Sequence, residues 1–151
     1  MYKIIDDFQN EIKIVIDKKI VDEYRKFWFK KFPRKKCEIK NPILESLNEW
    51  VKMNNFARNT KKQKWDHFAS WIVQKYNFNK LSLQKCGVQL IFFFDSFRRR
   101  DPDNYIPKNM HDGFTKGGLY MDDSFDQIEY LLITRGGVDK QNPRTEFIIR
   151  Y

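Results

Sequence analysis

Two acidic motifs in the sequence have the residue types and spacing for metal-assisted chemistry. The first is Asp101-Pro102-Asp103-Asn104, within FRRRDPDNYIPK at 97–108. The second is Asp122-Asp123, within MDDSFDQI at 121–128. Residues two apart in extended chain point the same way, so Asp101 and Asp103 can face one side. Carboxylates gathered at one place repel, which raises their pKa values or keeps the site loose. A divalent cation removes that cost, and oxygen donors alone favour Mg²⁺ or Mn²⁺. The chemistry that such a set supports is hydrolysis of a phosphate ester. Two other readings compete. An EF-hand loop starting at Asp101 would need glycine where Ile106 stands and glutamate where Asp112 stands, so it fails. Turn chemistry explains DPDN cheaply, with Asp103 free to cap a following helix, and the local sequence leaves that reading open.

The elements around these motifs must bring them together. Cys86–Phe94 (CGVQLIFFF) is apolar on both alternating faces and predicts a central strand. Asn104 to about Lys116 predicts a short helix with Ile106, Met110 and Phe114 inward, confined at its start by Pro107 and ended by Gly117-Gly118. Gln127–Thr134 and Glu146–Tyr151 predict strands that pair antiparallel across RGGVDKQNPR. If the strand before the first motif neighbours the strand after the second, the acids converge at one sheet end. Upstream, 12–16 and 38–47 predict strands, with Pro42 placing the latter at an edge or bulge. Val21–Phe32 predicts a helix, and Asn54–Lys64 a polar basic loop. Trp65–Tyr76 is a clear helix with a core-facing stripe of Trp65, Phe68, Ala69, Ile72 and Tyr76. The expected class is α+β: a small mixed or antiparallel sheet covered by two or three helices.

Charge narrows the partner. The chain has 151 residues, one domain's worth, and a net charge of +9. Residues 18–40 hold 10 basic and 3 acidic groups, whereas residues 95–129 hold 5 basic and 8 acidic. Phosphates repel an acidic cluster, so plain nucleic-acid binding does not account for it. A metal-dependent nuclease uses both signs. At 41% hydrophobic and 17% aromatic, the composition excludes wholesale disorder. No apolar run approaches a membrane span, and the start lacks a secretory pattern. Cys37 and Cys86 are too few for a disulfide framework, which points to a reducing cytoplasm. His67 is expected on the polar side of its helix and His111 in at most a supporting place beside the acids. Without a histidine–serine constellation, nucleophilic protein catalysis fits poorly.

The run RRRDPDNYIPKNMHDGFTKGGLYMDDSFDQI resembles the RusA family of Holliday junction resolvases. That family's pattern is an arginine-rich approach, D-x-D-N, a lysine in the next helix, D-[AG]-[LF]-T-x-[AG]-G, a hydrophobic pair and D-D. Arg98 to Arg100, Asp101, Asp103, Asn104, Lys108, Asp112, Gly113, Phe114, Thr115, Gly117, Gly118, Leu119, Asp122 and Asp123 fill those places. The likeness spans roughly residues 38–151. Residues 1–37 lie outside it and are expected to be an accessory basic extension. One departure is the lysine: Lys108 stands five residues after Asp103, where the family spacing is four.

The resemblance implies a homodimeric, Mg²⁺-dependent endonuclease that cuts four-way DNA junctions, with Mn²⁺ as substitute and no small-molecule cofactor. By position, Asp101, Asp103 and Asp123 would bind metal, with Asp122 the neighbouring acid, and Lys108 would act at the phosphate. Arg98, Arg99 and Arg100 would hold the strand, and Lys61, Lys62, Lys64 and Lys116 are further candidates for contact with the DNA backbone. It also implies a cytoplasmic, nucleoid-associated protein of a kind carried by phages and prophages. A junction-binding module without chemistry, and a nuclease acting on flaps or forks, are the alternatives.

Overall fold

The computed structural model describes residues 7–151. The elements run β1 (Glu11–Ile16), α1 (Lys18–Lys31), α2 (Leu47–Lys52), α3 (Asn55–Lys75), β2 (Cys86–Phe94), α4 (Lys108–Gly117), β3 (Ile128–Val138) and β4 (Arg144–Arg150). The class is α+β, as the sequence predicts. No described helix is long and apolar enough to cross a membrane.

The sheet order is β1-β4-β2-β3. β2 is central, as its apolar run requires: it pairs antiparallel with β4 and parallel with β3. Val88, Leu90, Phe92 and Phe94 point from β2 into the core, where they join Phe68 and Ile72 of α3, Met110 and Phe114 of α4, and Phe147 of β4. The expected β3–β4 pairing does not occur. β2 lies between them, with backbone ladders satisfying both its edges and the Val88–Leu90–Phe92–Phe94 face buried in the core. The chain from β2 to β3 is therefore a crossover that carries α4 over the sheet, the connection parallel neighbours require.

Side-chain caps set the helix starts. Asp17 accepts from Ile20 N at 3.0 Å and opens α1. Asn54 accepts from Ala57 N at 2.8 Å and opens α3. That cap corrects the loop expected over 54–64, which forms the first half of α3 instead. Residues 38–47 form no regular strand. An Asx turn from Asn41 to Ile43 N and the missing donor of Pro42 leave only an isolated bridge, Ser46 to Tyr105. α2, after Ser46, was not foreseen.

α4 lies unusually close to α3. A Cβ on Gly113 would sit 2.5 Å from the Cβ of Ala69 and from the Asp66 carbonyl. Gly117, one turn later, faces Val73. Gly118 ends the helix in the left-handed region, at φ +91°. The glycines between the acidic motifs thus have packing and capping duties.

Residues 11–37 belong to the same core as the rest. β1 pairs with β4 from Glu11–Arg150 to Ile16–Thr145. Ile14, Ile16, Ile20, Val21, Tyr24, Trp28 and Cys37 are buried in the common cluster. The division expected at residue 37 has no counterpart in this packing; the pull of ten basic residues on the sequence reading hid an apolar face. The first six residues of that segment lie outside the described ones. Removing residues 1–37 is expected to abolish cooperative unfolding in urea. The single change Ile16→Ala should cost about 2–5 kcal/mol, read from the shift in urea midpoint.

Candidate functional site

The two acidic motifs are positioned by the β2–β3 crossover. Cys86 is matched with Ile128 and Phe94 with Val138, so the end of β2 and the start of β3 lie at opposite ends of the pair. The neighbouring-strand condition is met, but the parallel sense removes the convergence it was meant to give.

The first motif follows the exit of β2. Asp101 begins a one-turn 3-10 segment, Pro102–Asn104, with Asn104 N donating to the Asp101 carbonyl at 3.1 Å. The turn chemistry of DPDN is therefore real. Asp103 does not cap α4, whose first flanking residue is Pro107. The Asp101 carboxylate is 3.4 Å from Arg99 Nε. Asp103 is exposed in the turn. Tyr105 packs its ring on Phe92 and Phe94, turning the chain back over the sheet towards α4.

Arg100 is a clasp on this loop. Its guanidinium lies 4.3 Å over the Phe94 ring and bonds Asp95 Oδ1, Ser96 Oγ and the carbonyls of Ser96 and Arg98. With those donors engaged, it is not free to grip a strand as the sequence suggested. Arg98 and Arg99 remain exposed. Asp101 and the three arginines line two clefts: one of about 630 Å³ against residues 38–49, the other of about 350 Å³ against Ile133–Arg135.

The second motif meets α4 instead. Asp123 lines a third cleft, of about 380 Å³, with Lys108, His111, Phe125, Ile128 and Leu131. Lys108 Nζ donates to Asp112 Oδ1 at 3.2 Å, one turn along α4. Lys62 Nζ of α3 stands 3.5 Å from Asp112 Oδ2. Burial and the adjoining Asp112 carboxylate push Asp123 above the usual carboxylate range. Burial works against the Asp112 carboxylate too, but hydrogen bonds from Lys108 and Asp123 and the charges of Lys108 and Lys62 hold its pKa below that range. Asp122 is exposed and accepts from Asp123 N at 2.9 Å.

The structure thus brings Lys108, Asp112 and Asp123 together and leaves Asp101 and Asp103 on the arginine loop. Among the described residues, no group of three or more His, Cys, Asp or Glu is arranged to hold a metal ion. Asp112 had no role in the sequence reading; its i, i+4 spacing from Lys108 was the available signal.

The lysines proposed for the DNA backbone divide. Lys61 is held by Glu45 at 3.0 Å and Glu38 at 3.6 Å, Lys62 by Asp112, and Lys116 by the buried carboxylate of Asp66. Among the described residues Lys64 alone of these four lacks a carboxylate partner; its ammonium sits 4.1 Å over the Trp28 ring. His67 is half-buried against α1, with Nδ1 2.7 Å from the Tyr24 hydroxyl, rather than on an open polar face. Comparison of the sequence with models of protein families and with curated proteins returns no match. The site is read from its own chemistry.

His111 is packed among Phe114, Tyr120 and Phe147, with neither ring nitrogen hydrogen-bonded among the described residues. Burial pushes its pKa down to about 4; Asp112 opposes the fall and Lys108 adds to it. Between that value and the ordinary 6.5, the unfolded chain binds a proton that the folded chain refuses. Stability should therefore fall as pH drops through this window, by on the order of 3 kcal/mol. The urea midpoint measured from pH 7 to pH 4 should show this slope, and His111→Gln should flatten it.

Proposed function

We propose that this chain is a divalent-metal-dependent endonuclease acting on branched DNA, with four-way junctions its substrate and a homodimer its working form. The observation that carries the reading is the cluster of Lys108, Asp112 and Asp123. Three positions of the resolvase-like motif, up to fifteen residues apart in sequence, line one site between α4 and the approach to β3. Turn and helix chemistry alone gives no reason for a half-buried carboxylate pair beside a lysine.

The donors suit the metal in kind but not in arrangement. Asp101, Asp103, Asp122 and Asp123 offer only oxygen, which suits Mg²⁺ or Mn²⁺. As placed, Asp101 lines the clefts of the arginine loop and Asp123 the cleft at α4, rather than one ligand set. Such a cation would supply charge neutralisation at a phosphate and a more acidic water. The chain's own residues do the rest. Asp112 orients the exposed ammonium of Lys108, which can meet a phosphate oxygen. Arg98 and Arg99 offer exposed guanidinium groups to the same backbone. A four-way junction has two equivalent strands related by a dyad, and a two-fold dimer would present two sites with that symmetry.

One observation favours a second reading, a junction-binding module without chemistry: the two acidic motifs open on different clefts. Incubating a labelled synthetic junction with and without Mg²⁺, and mapping cuts on all four strands, separates the two. Nicks that need the metal are expected. Asp101→Asn and Asp123→Asn should each slow cutting by roughly 100-fold or more while junction binding stays intact. Wild-type protein that binds the junction and never nicks it would leave the second reading. Flap and fork substrates on the same gel would show whether the four-way form is preferred.

A further inference from the structure

α1 ends in a basic turn that the core holds in one shape. Trp28 is buried, and its indole Nε1–H donates to the Lys35 carbonyl at 3.1 Å. Phe32 N donates to the Trp28 carbonyl at 2.7 Å and Lys35 N to the Phe32 carbonyl at 3.1 Å. Main-chain bonds therefore close the turn at 32–35, and its cations project from a fixed frame. Lys64 of α3 extends the same face: its ammonium covers the Trp28 ring, while Lys35 and Lys31 lie 4.9 and 5.5 Å from the Phe32 ring centre.

The charge here is not neutralised from within. Lys36 pairs with Glu38 at 3.3 Å. Lys30, Lys31, Arg34, Lys35 and Lys64 have no carboxylate partner among the described residues. Lys61, Lys62 and Lys116 differ in each having one. Like charges at this density repel one another, which opposes the cation–π contacts that Lys31, Lys35 and Lys64 make. A polyanion laid across them removes the repulsion and releases its own counterions.

We propose that this face, formed by the last turn of α1, residues 33–36 and Lys64, binds the phosphate backbone of double-helical DNA without regard to sequence, as a contact separate from the candidate site. The ligand class rests on the branched-DNA reading above. Position supports it: Lys62 reaches Asp112 and Lys64 reaches Trp28, and residues two apart project from opposite flanks of a helix. The face and the candidate site thus flank α3, and a second arm of a branched molecule would meet the face while another strand occupies the site. An anionic membrane is less suited. The rings of Trp28 and Phe32 are overlaid by lysines rather than offered for insertion, and Phe29, at 40% exposure, is the one large exposed apolar residue of α1.

The test is binding to a plain duplex in EDTA, with no cutting involved. Lys31→Glu/Arg34→Glu/Lys35→Glu should weaken binding at about 100 mM salt by at least roughly tenfold. It should also lower the slope of log Kobs against log salt by about 2–3. Lys80→Glu/Lys140→Glu, on exposed positions elsewhere, should change affinity by less than about twofold. The neutral pair Arg34→Gln/Lys35→Gln guards against misfolding: it should keep the wild-type thermal transition and still lower the slope, by about 1–2. Wild-type affinity and slope in the triple variant would overturn the proposal. So would binding to phosphatidylserine–phosphatidylcholine vesicles with none to duplex. Duplex binding lost in the triple variant, by a wild type that never nicks a junction, would uphold this face and end the nuclease reading. Junction cutting with no effect of the triple variant would do the reverse.

Discussion

The parallel pairing of β2 with β3 is the constraint on which the rest depends. A hairpin cannot join parallel neighbours, so the chain must leave the end of β2, cross over the sheet and return to the other end of the pair to begin β3. Both acidic motifs, the arginine loop and α4 ride on that crossover. The two motifs therefore attach to opposite ends of the strand pair, and α4, passing between them, is the element that meets the second. Its approach to α3 at Gly113 lets Lys62 reach Asp112 from across the helix pair. Backbone topology, through helix packing, selects which charged side chains face each other.

The sequence disclosed most where one force dominates. The run of Cys86–Phe94, apolar but for Gln89, reads as a central strand and is one. Trp65, Phe68, Ala69 and Ile72 of the expected stripe do face the core, whereas Tyr76, expected with them, is exposed where α3 ends; the double glycine ends α4. It disclosed less where two forces compete. Asn54–Lys64 is polar enough for a loop, but a single Asn54 cap starts a helix that the apolar stripe then sustains. Residues 38–47 have β-forming content, but Pro42 and the Asn41 turn win. The β3–β4 connection has hairpin chemistry, yet the burial gained by placing β2 between the two strands outweighs it.

The candidate site was legible as a set of residues and not as a constellation. Residue types and spacing singled out the Asp122-Asp123 pair, the family resemblance added Lys108, and the geometry added Asp112. Spacing carries no sign for strand direction, so the convergence of Asp101 with Asp123 did not follow from strands being adjacent. Nor does it distinguish a cation facing solvent from one already matched. Arg100 on Phe94 and Asp95, and Lys61 between Glu38 and Glu45, look like ligand-binding residues in sequence and act as internal braces.

Internal bracing also changes what a partner meets at long range. Lysines matched to carboxylates radiate little field, whereas Lys30, Lys31, Arg34, Lys35 and Lys64 have no carboxylate partner among the described residues while acids gather on the crossover. Positive and negative poles on one small body make an electric dipole. In the field of a strong polyanion such a dipole rotates before contact, so productive collisions outnumber those a uniformly charged sphere would make. Capture would then begin with the α1 end leading, and residence there would bring the other flank of α3 into range by local rather than bulk diffusion.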